Sequence, residues 1–323
     1  MNTKARILSA TLAFIISATS AASVASAVTT EAVSREGASA AAYDGSLAEL
    51  YESYGYAPHS YSNMISVQGV ANKNVSAYQR PSIYINGTQT SVKGIRINDT
   101  LYLPFRVAAG LVGASYSYDS ASRTSTMTAS GLVATATDGA YCIYANGRPL
   151  FATTPTVIMS DGRMYIPAES FARMVGMTLA DSGERASVSG KFRALATAES
   201  YYREDEVLWL ARIIHAEAQG EPLLGQIAVG NVVLNRVKST YYPNTIYGVI
   251  FDRKYGVQFS PILNGTIYNT PSYSATLAAK ICLEGFDISD GAFFFLEPRL
   301  STSSWIPTSR EYAFTIGHHD FYK

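Results

Sequence analysis

The sequence predicts an α+β chain of two domains: an N-terminal repeated hairpin–helix module, then a mainly helical C-terminal domain. Three observations carry this. "IYINGTQ" at 83–89 returns as "IYANGRP" at 143–149, an offset of 60 residues. "DTLYLPFRVAAGLVGA" at 99–114 returns as "GRMYIPAESFARMVGM" at 162–177, an offset of 63. From about residue 204 the apolar residues change to a helical period. With 323 residues, 47% hydrophobic and 15% charged, the chain has material for two packed cores.

The N-terminus reads as an export signal. Lys4 and Arg6 give a positive start, an apolar run extends from Ile7 to about Ala22, and Ala25-Ser26-Ala27 matches a small-residue cleavage site. Cleavage after residue 27 removes those two cations and no acid, taking the net charge from zero to −2. No later stretch is long enough to span a bilayer, and the neutral charge argues against a nucleic-acid surface. Cys142 and Cys282 are each set in apolar sequence, so they read as small buried residues rather than half-cystines. An exported chain without a disulfide framework is expected in a Gram-positive envelope or cell wall. Residues 28–80, rich in Ala, Ser, Asn and Tyr, read as a linker.

The repeat occupies 81–190. Asn86-Gly87 and Asn146-Gly147 are hairpin-turn signals between alternating apolar residues. Asn98-Asp99 and Asp161-Gly162 mark the next turns. In each unit a Tyr-x-Pro strand (Tyr102 to Pro104, Tyr165 to Pro167) leads into a short helix closed near Gly113 or Gly176. "SYSYDSASRTSTMTA" then alternates as a solvent-facing hairpin. This pattern resembles the copper amine oxidase N-terminal-like domain. The resemblance implies no oxidase chemistry, and the absence of histidine from 81–190 argues against copper. A wall-binding or spacer role is the expectation. Residues 191–203 read as a second linker.

In the domain at 204–323, "LWLARIIHAEAQGEP" (208–222) poses a question. Val207, Leu210, Ala211, Ile214 and Ala218 lie on one helical stripe, and Glu217 falls beside it, three residues after Ile214 and seven after Leu210. A carboxyl group turned toward a core loses hydration, which favours its neutral form. That is what a general acid requires. A glutamate one turn from a helix end can equally serve a neighbouring loop. The next helix, 223–237, is nearly all apolar, and its Gly225 and Gly230 suit close helix approach. Asn231 and Asn235 share a face of it, bridging buried backbone or facing the same cleft as Glu217. Glu221, at the helix end, reads as exposed.

"LARIIHAEAQGEPLLGQIAVGNVVLNRV", "PNTIYGVIF", "QFSPILNG", the triplet Phe293-Phe294-Phe295, "SSWI" at 303–306 and the closing Gly-x-His-x-Phe are similar, in that order, to the SleB-type cell wall hydrolases, which include spore cortex-lytic enzymes. The resemblance implies a lysozyme- or transglycosylase-like domain that cuts peptidoglycan between N-acetylmuramic acid and N-acetylglucosamine. It places the single catalytic glutamate at Glu217. Ala216, Gln219 and His318 depart from the residues common in that family, and Gln219 stands where arginine is usual.

Only one carboxyl group stands out, whereas ordinary glycosidases use two. A lytic transglycosylase route needs one, and the resemblance implies it. No cofactor is expected. Asn235, Arg236, Tyr255, Gln258, Ser260 and His319 are candidate substrate contacts, and Phe259 and Trp305 candidate stacking rings; core packing is as good a reading for each aromatic. Arg236 suits a peptide-stem carboxylate. Two rivals remain. One is a metal-dependent hydrolase using His215, Glu217, His318 and His319, against which His215 and Glu217 point in different directions on a helix. The other is a non-catalytic wall-binding protein.

Overall fold

Tight turns built on asparagine shape the N-terminal half of the chain, and packed helices shape the C-terminal half. The computed structural model describes residues 73–254, 256–301 and 305–323. The expected export signal at 1–27 and most of the expected linker at 28–80 lie outside the described residues. Strand β1 (Ser82–Ile85) returns as β2 (Thr88–Gln89) through Asn86 and Gly87, at φ 47° and 82°. Strands β3 (Ile95–Ile97) and β4 (Thr100–Pro104) turn through Asn98 and Asp99, at φ 46° and 63°. Paired positive φ values make the turn whose twist matches the flanking strands, and asparagine tolerates them. Helix α1 (Phe105–Leu111) follows directly, with Pro104 at its cap.

Strands β5 (Ser115–Asp119), β6 (Thr124–Ala129), β7 (Leu132–Thr137), β8 (Cys142–Ala145) and β9 (Arg148–Phe151) form an antiparallel sheet in chain order. The β5–β6 hairpin is not wholly solvent-facing as its alternation suggested. On β6, Ser125 and Met127 lie on one face and are buried, Met127 within the β-rich core. Strands β10 (Val157–Ile158) and β11 (Met164–Pro167) precede helix α2 (Ala168–Met174), and β12 (Thr178–Asp181) and β13 (Arg185–Ser189) end the region. The β11 strand pairs with β4, setting Tyr165 opposite Pro104 and Pro167 opposite Tyr102. The β13 strand runs parallel to β1, so the end of the region closes on its beginning.

Residues expected as linkers are docked. Lys73 accepts a backbone hydrogen bond from Ser160 and Gln79 one from Arg96, while Val75 and Tyr78 cover a small core around Tyr102 and Tyr165. Past β13, Arg193 and Leu195 donate backbone bonds to Val175 and Met174, and Ala198 to Asn146. Phe192, Ala194 and Leu195 pack on the β-rich core. The low-complexity texture of these segments concealed a few apolar residues at the right places.

Helix α3 (Ala198–Tyr201) leads to α4 (Glu204–Ala218), whose first turn carries Glu204, Asp205 and Glu206 against the positive helix end. Helix α5 (Leu223–Lys238) is buried along most of its length. Helices α6 (Ile246–Ile250) and α7 (Pro261–Asn264) are short, and α8 (Tyr273–Leu283) packs against both α4 and α5. Their meeting point is Gly230: a Cβ there would lie 2.7 Å from Cys282 Sγ and 2.9 Å from Ile214 Cδ1, so only glycine permits this approach. Strand β14 (Phe294–Leu296), helix α9 (Trp305–Ser309) and strands β15 (Tyr312–Ile316) and β16 (His319–Tyr322) complete the chain, with β16 central in a three-stranded sheet. Leu210, Ile214, Ile227, Val232 and Ile281 are among the residues fully removed from water in this core. Each such side chain stabilises the fold by about 1.5–3 kcal/mol before entropy is counted. Among the described residues no helix is long and apolar enough to cross a membrane. Both cysteines are buried, and neither is in a disulfide.

The two regions lie in one compact unit. Glu284, capping α8, has a side chain only 1% exposed. Arg148 on β9 meets it with both prongs of its guanidinium, at 2.8 and 2.9 Å. Arg173 on α2 and the Tyr202 hydroxyl also donate to the carboxylate. Tyr201 stacks 3.3 Å from the Arg148 guanidinium, and Phe151 meets Phe286 edge-on at 4.7 Å.

Candidate functional site

Glu217 is one residue from the end of α4, and its side chain is mostly buried. Burial raises its pKa from 4.5 to about 7, while the positive charge of Arg236 pulls the other way; no hydrogen bond enters the balance. The helical register places it there. Leu210, Ile214 and Ala218 are buried in the core, and Glu217 borders that stripe. At neutral pH the group is divided between acid and carboxylate, so it can both give and take a proton.

Arg236, on α5, is only 4% exposed. Its Nε donates to the Phe293 carbonyl at 2.8 Å. Its Cζ lies 5.1 Å from the Phe259 ring centre, 5.3 Å from Tyr242 and 5.5 Å from Phe294. The Nη1 atom is buried and has no hydrogen-bond partner among the described residues. Desolvation lowers the guanidinium's pKa, and Tyr242, Asp252 and Glu217 oppose this. An aromatic cage around a guanidinium supplies cation–π attraction without neutralising it, leaving its field to act on Glu217.

Glu221 departs from its expected exposure: it is 6% exposed. The His318 backbone N–H donates to Oε2 at 2.9 Å, and His318 Nδ1 lies 2.8 Å from Oε1. Gly317, at φ 58°, makes this possible, because a Cβ there would meet Oε2 at 1.8 Å. Both Glu221 oxygens are thus engaged in holding the β15–β16 turn against the α4–α5 junction. The pairing spans 97 residues, and no local signal in the sequence announces it.

The other expected contacts separate. Asn235 donates to Ser289 Oγ at 2.8 Å and to the Ala292 carbonyl at 3.0 Å, beside Asn231, which bridges Phe286 and Ile288. These amides hold the 286–293 segment on α5. Phe259, 3% exposed, is a correction: its ring is core, packed toward Phe295 and Arg236, with no face left for a sugar. Gln258 donates to Gly256 O, and Ser260 is exposed ahead of α7. Trp305 is 52% exposed, edge-on to Phe294 at 5.9 Å. Tyr255 lies outside the described residues. His319 is 6% exposed between Phe295 and Phe321, with Nδ1 unpartnered among the described residues. His215 Nδ1 accepts from the Ser272 backbone at the start of α8, so His215 and His318 have separate partners. No cluster of three or more potential metal ligands occurs among the described residues.

The cell wall hydrolase family model matches residues 220–322, and the copper amine oxidase N-terminal domain model matches 84–189. A cell wall hydrolase, CwlJ, of Oceanobacillus iheyensis is 30% identical over 111 residues, which are 32% of this chain and 77% of that protein. The chain belongs to the cell wall hydrolase family. Among other members, the spore cortex-lytic enzyme of Bacillus cereus is 38% identical over 122 residues, and that of Bacillus subtilis 35% over 120. The chain spans 46% and 38% of those two relatives, less than half of either, and they match 38% and 37% of it. The catalytic domain of the germination-specific lytic transglycosylase SleB from Bacillus anthracis, a solved structure, is 38% identical; the match covers 38% of this chain and 97% of that one, with a TM-score of 0.35. The family match begins three residues after Glu217, so the case for Glu217 stands on the helix and its environment.

Proposed function

We propose that this protein cleaves the glycan strand of peptidoglycan between N-acetylmuramic acid and N-acetylglucosamine, as a lytic transglycosylase in which Glu217 is the single acid and base. The observation that carries this is a mostly buried carboxyl group beside the core stripe of α4, with its pKa raised to about 7 and no hydrogen bond contributing. The names of its relatives, spore cortex-lytic enzyme and lytic transglycosylase, support the reading.

Neutral Glu217 gives its proton to the bridging oxygen as the C1–O bond of muramic acid breaks, and N-acetylglucosamine leaves with a free 4-hydroxyl. The carboxylate then takes the proton of the muramic C6 hydroxyl while that oxygen bonds to C1. A 1,6-anhydro sugar results, and Glu217 is protonated again. Arg236 steadies the carboxylate between the two steps. Glu221, the acid one turn further on, has both oxygens engaged with His318, which favours a one-acid route over a two-carboxylate one.

On this reading residues 204–323 are the catalytic domain, 81–190 a wall-binding or spacer domain, and the protein acts in the cell wall after export. Ser260, Gln258, Tyr255, Trp305 and His319 remain proposed sugar contacts. Mass spectrometry of digested peptidoglycan is the test. Anhydro-muramic ends released by the parent and not by Glu217→Gln are expected. Reducing ends would replace the transglycosylase with a hydrolase, and cleavage by the variant would remove Glu217 from the chemistry.

A further inference from the structure

One group of aromatic side chains in the C-terminal region sits at the edge of the core, partly in water. Trp209 on α4 is at its centre. Tyr247 lies 5.1 Å from it, Phe251 5.3 Å and Tyr268 6.2 Å, all edge-on. Tyr247 is 53% exposed and Tyr268 58%. Burial explains the phenylalanine; it does not explain two tyrosine rings left half in water. Arg212, one turn along from Trp209, sets its Cζ 4.9 Å from the tryptophan ring. Its Nε is shielded from water and has no acceptor among the described residues. The influence opposing its desolvation comes from the hydroxyl of Tyr268, not from a carboxylate. A guanidinium in that state can accept an anion from outside with charge-assisted hydrogen bonds.

The cluster adjoins the proposed catalytic site along two elements. Trp209 precedes Glu217 by eight residues on the same helix, about 12 Å along the axis. Phe251 is followed by Asp252, whose charge acts on Arg236. Rings with an apolar face and a polar edge are suited to pyranose faces, which carry C–H groups on the face and hydroxyls around the rim.

We propose that Trp209, Tyr247, Tyr268 and Arg212 form a glycan-binding platform that grips N-acetylated sugars of the strand away from the bond being cut, with Arg212 receiving a carboxylate carried by the strand. The proposal rests on the glycan-cleaving reading of Glu217. The platform supplies affinity for long strands, and its arginine distinguishes a carboxylate-bearing glycan from a neutral one.

The experiment is sedimentation of the full chain carrying Glu217→Gln with purified peptidoglycan, and with insoluble chitin as a carboxylate-free glycan. Adding Tyr247→Ser with Tyr268→Ser, both at exposed positions, is expected to weaken binding to both glycans at least tenfold. Adding Arg212→Gln is expected to weaken binding to peptidoglycan and spare chitin. Undiminished binding by the tyrosine variant overturns the platform, and equal loss on both glycans overturns the carboxylate assignment. A second measurement guards against misfolded variants. Trp209 and Trp305 are the two tryptophans of the chain, so Trp305→Phe leaves Trp209 as the sole emitter. Soluble chitin oligomers should then shift its fluorescence; unchanged emission at saturation overturns the proposal. If Glu217→Gln still cuts glycan, the catalytic reading fails, and the binding results then judge the platform separately.

Discussion

Replacing Glu217 with glutamine removes an ionisable group from a place that disfavours charge, so the fold should gain what the chemistry loses. The pKa of Glu217 rises from 4.5 to about 7 on folding. That difference corresponds to about 3 kcal/mol between the protonated and ionised forms in the folded protein. The folded value is the raised one. The glutamate therefore contributes its full stability below about pH 4.5 and loses it as pH rises through about 7. Glutamine cannot ionise. The advantage of Glu217→Gln should be near zero at pH 4.5 and grow to about 3 kcal/mol by pH 8, a rise of roughly 5 °C or more in melting temperature. Thermal melts of the full chain and the variant across that range measure it directly. A constant offset between the two curves, or a parent as stable as the variant at pH 8, would refute the claim that burial sets this carboxyl's pKa.

Other outcomes follow from the same geometry. Glycan cleavage should fall as pH rises above about 7, where the proton to be donated is gone, and a pH–rate profile on purified peptidoglycan would show a limb there; a profile flat to pH 9 contradicts the acid role. Arg148→Met removes the bidentate partner of the Glu284 carboxylate, 1% exposed, while Arg173 and Tyr202 stay on it, and should destabilise the protein by about 1.5–3 kcal/mol, read by urea unfolding. Adding Glu284→Gln to it should recover part of the loss. Gly317→Ala drives a Cβ to 1.8 Å from Glu221 Oε2 at a φ of 58°, so it should destabilise by about 1–3 kcal/mol or more, with lower activity as the β15–β16 turn shifts.

Local signals in the sequence were informative where the physics is local. The Asn-Gly pairs predicted turns, because few residues accept two successive positive φ values. The 3.6-residue period of α4 exposed Glu217 as an anomaly, since a charge beside a buried stripe needs a reason. Gly225 and Gly230 suggested close helix approach, and Gly230 is where three helices meet. The misses are long-range. Glu221 looked exposed because it follows a helix end, yet His318, 97 residues away, encloses it. Phe259 stood open between stacking and core packing, because an aromatic outside a periodic stretch carries no signal to show which way it faces. The segment 191–203 looked like a tether because its apolar residues are few; three of them suffice to dock it.

The Glu284 cluster has a consequence for how such chains diversify. Its carboxylate belongs to the C-terminal half, while both arginines that answer it, Arg148 and Arg173, belong to the N-terminal half. Grafting this C-terminal half onto a front end that covers Glu284 without a cation would bury an unpaired anion at the tip of a helix that packs against the one bearing Glu217. The two halves are therefore coupled through that glutamate, and a new front end that covers it has to bring cations of its own.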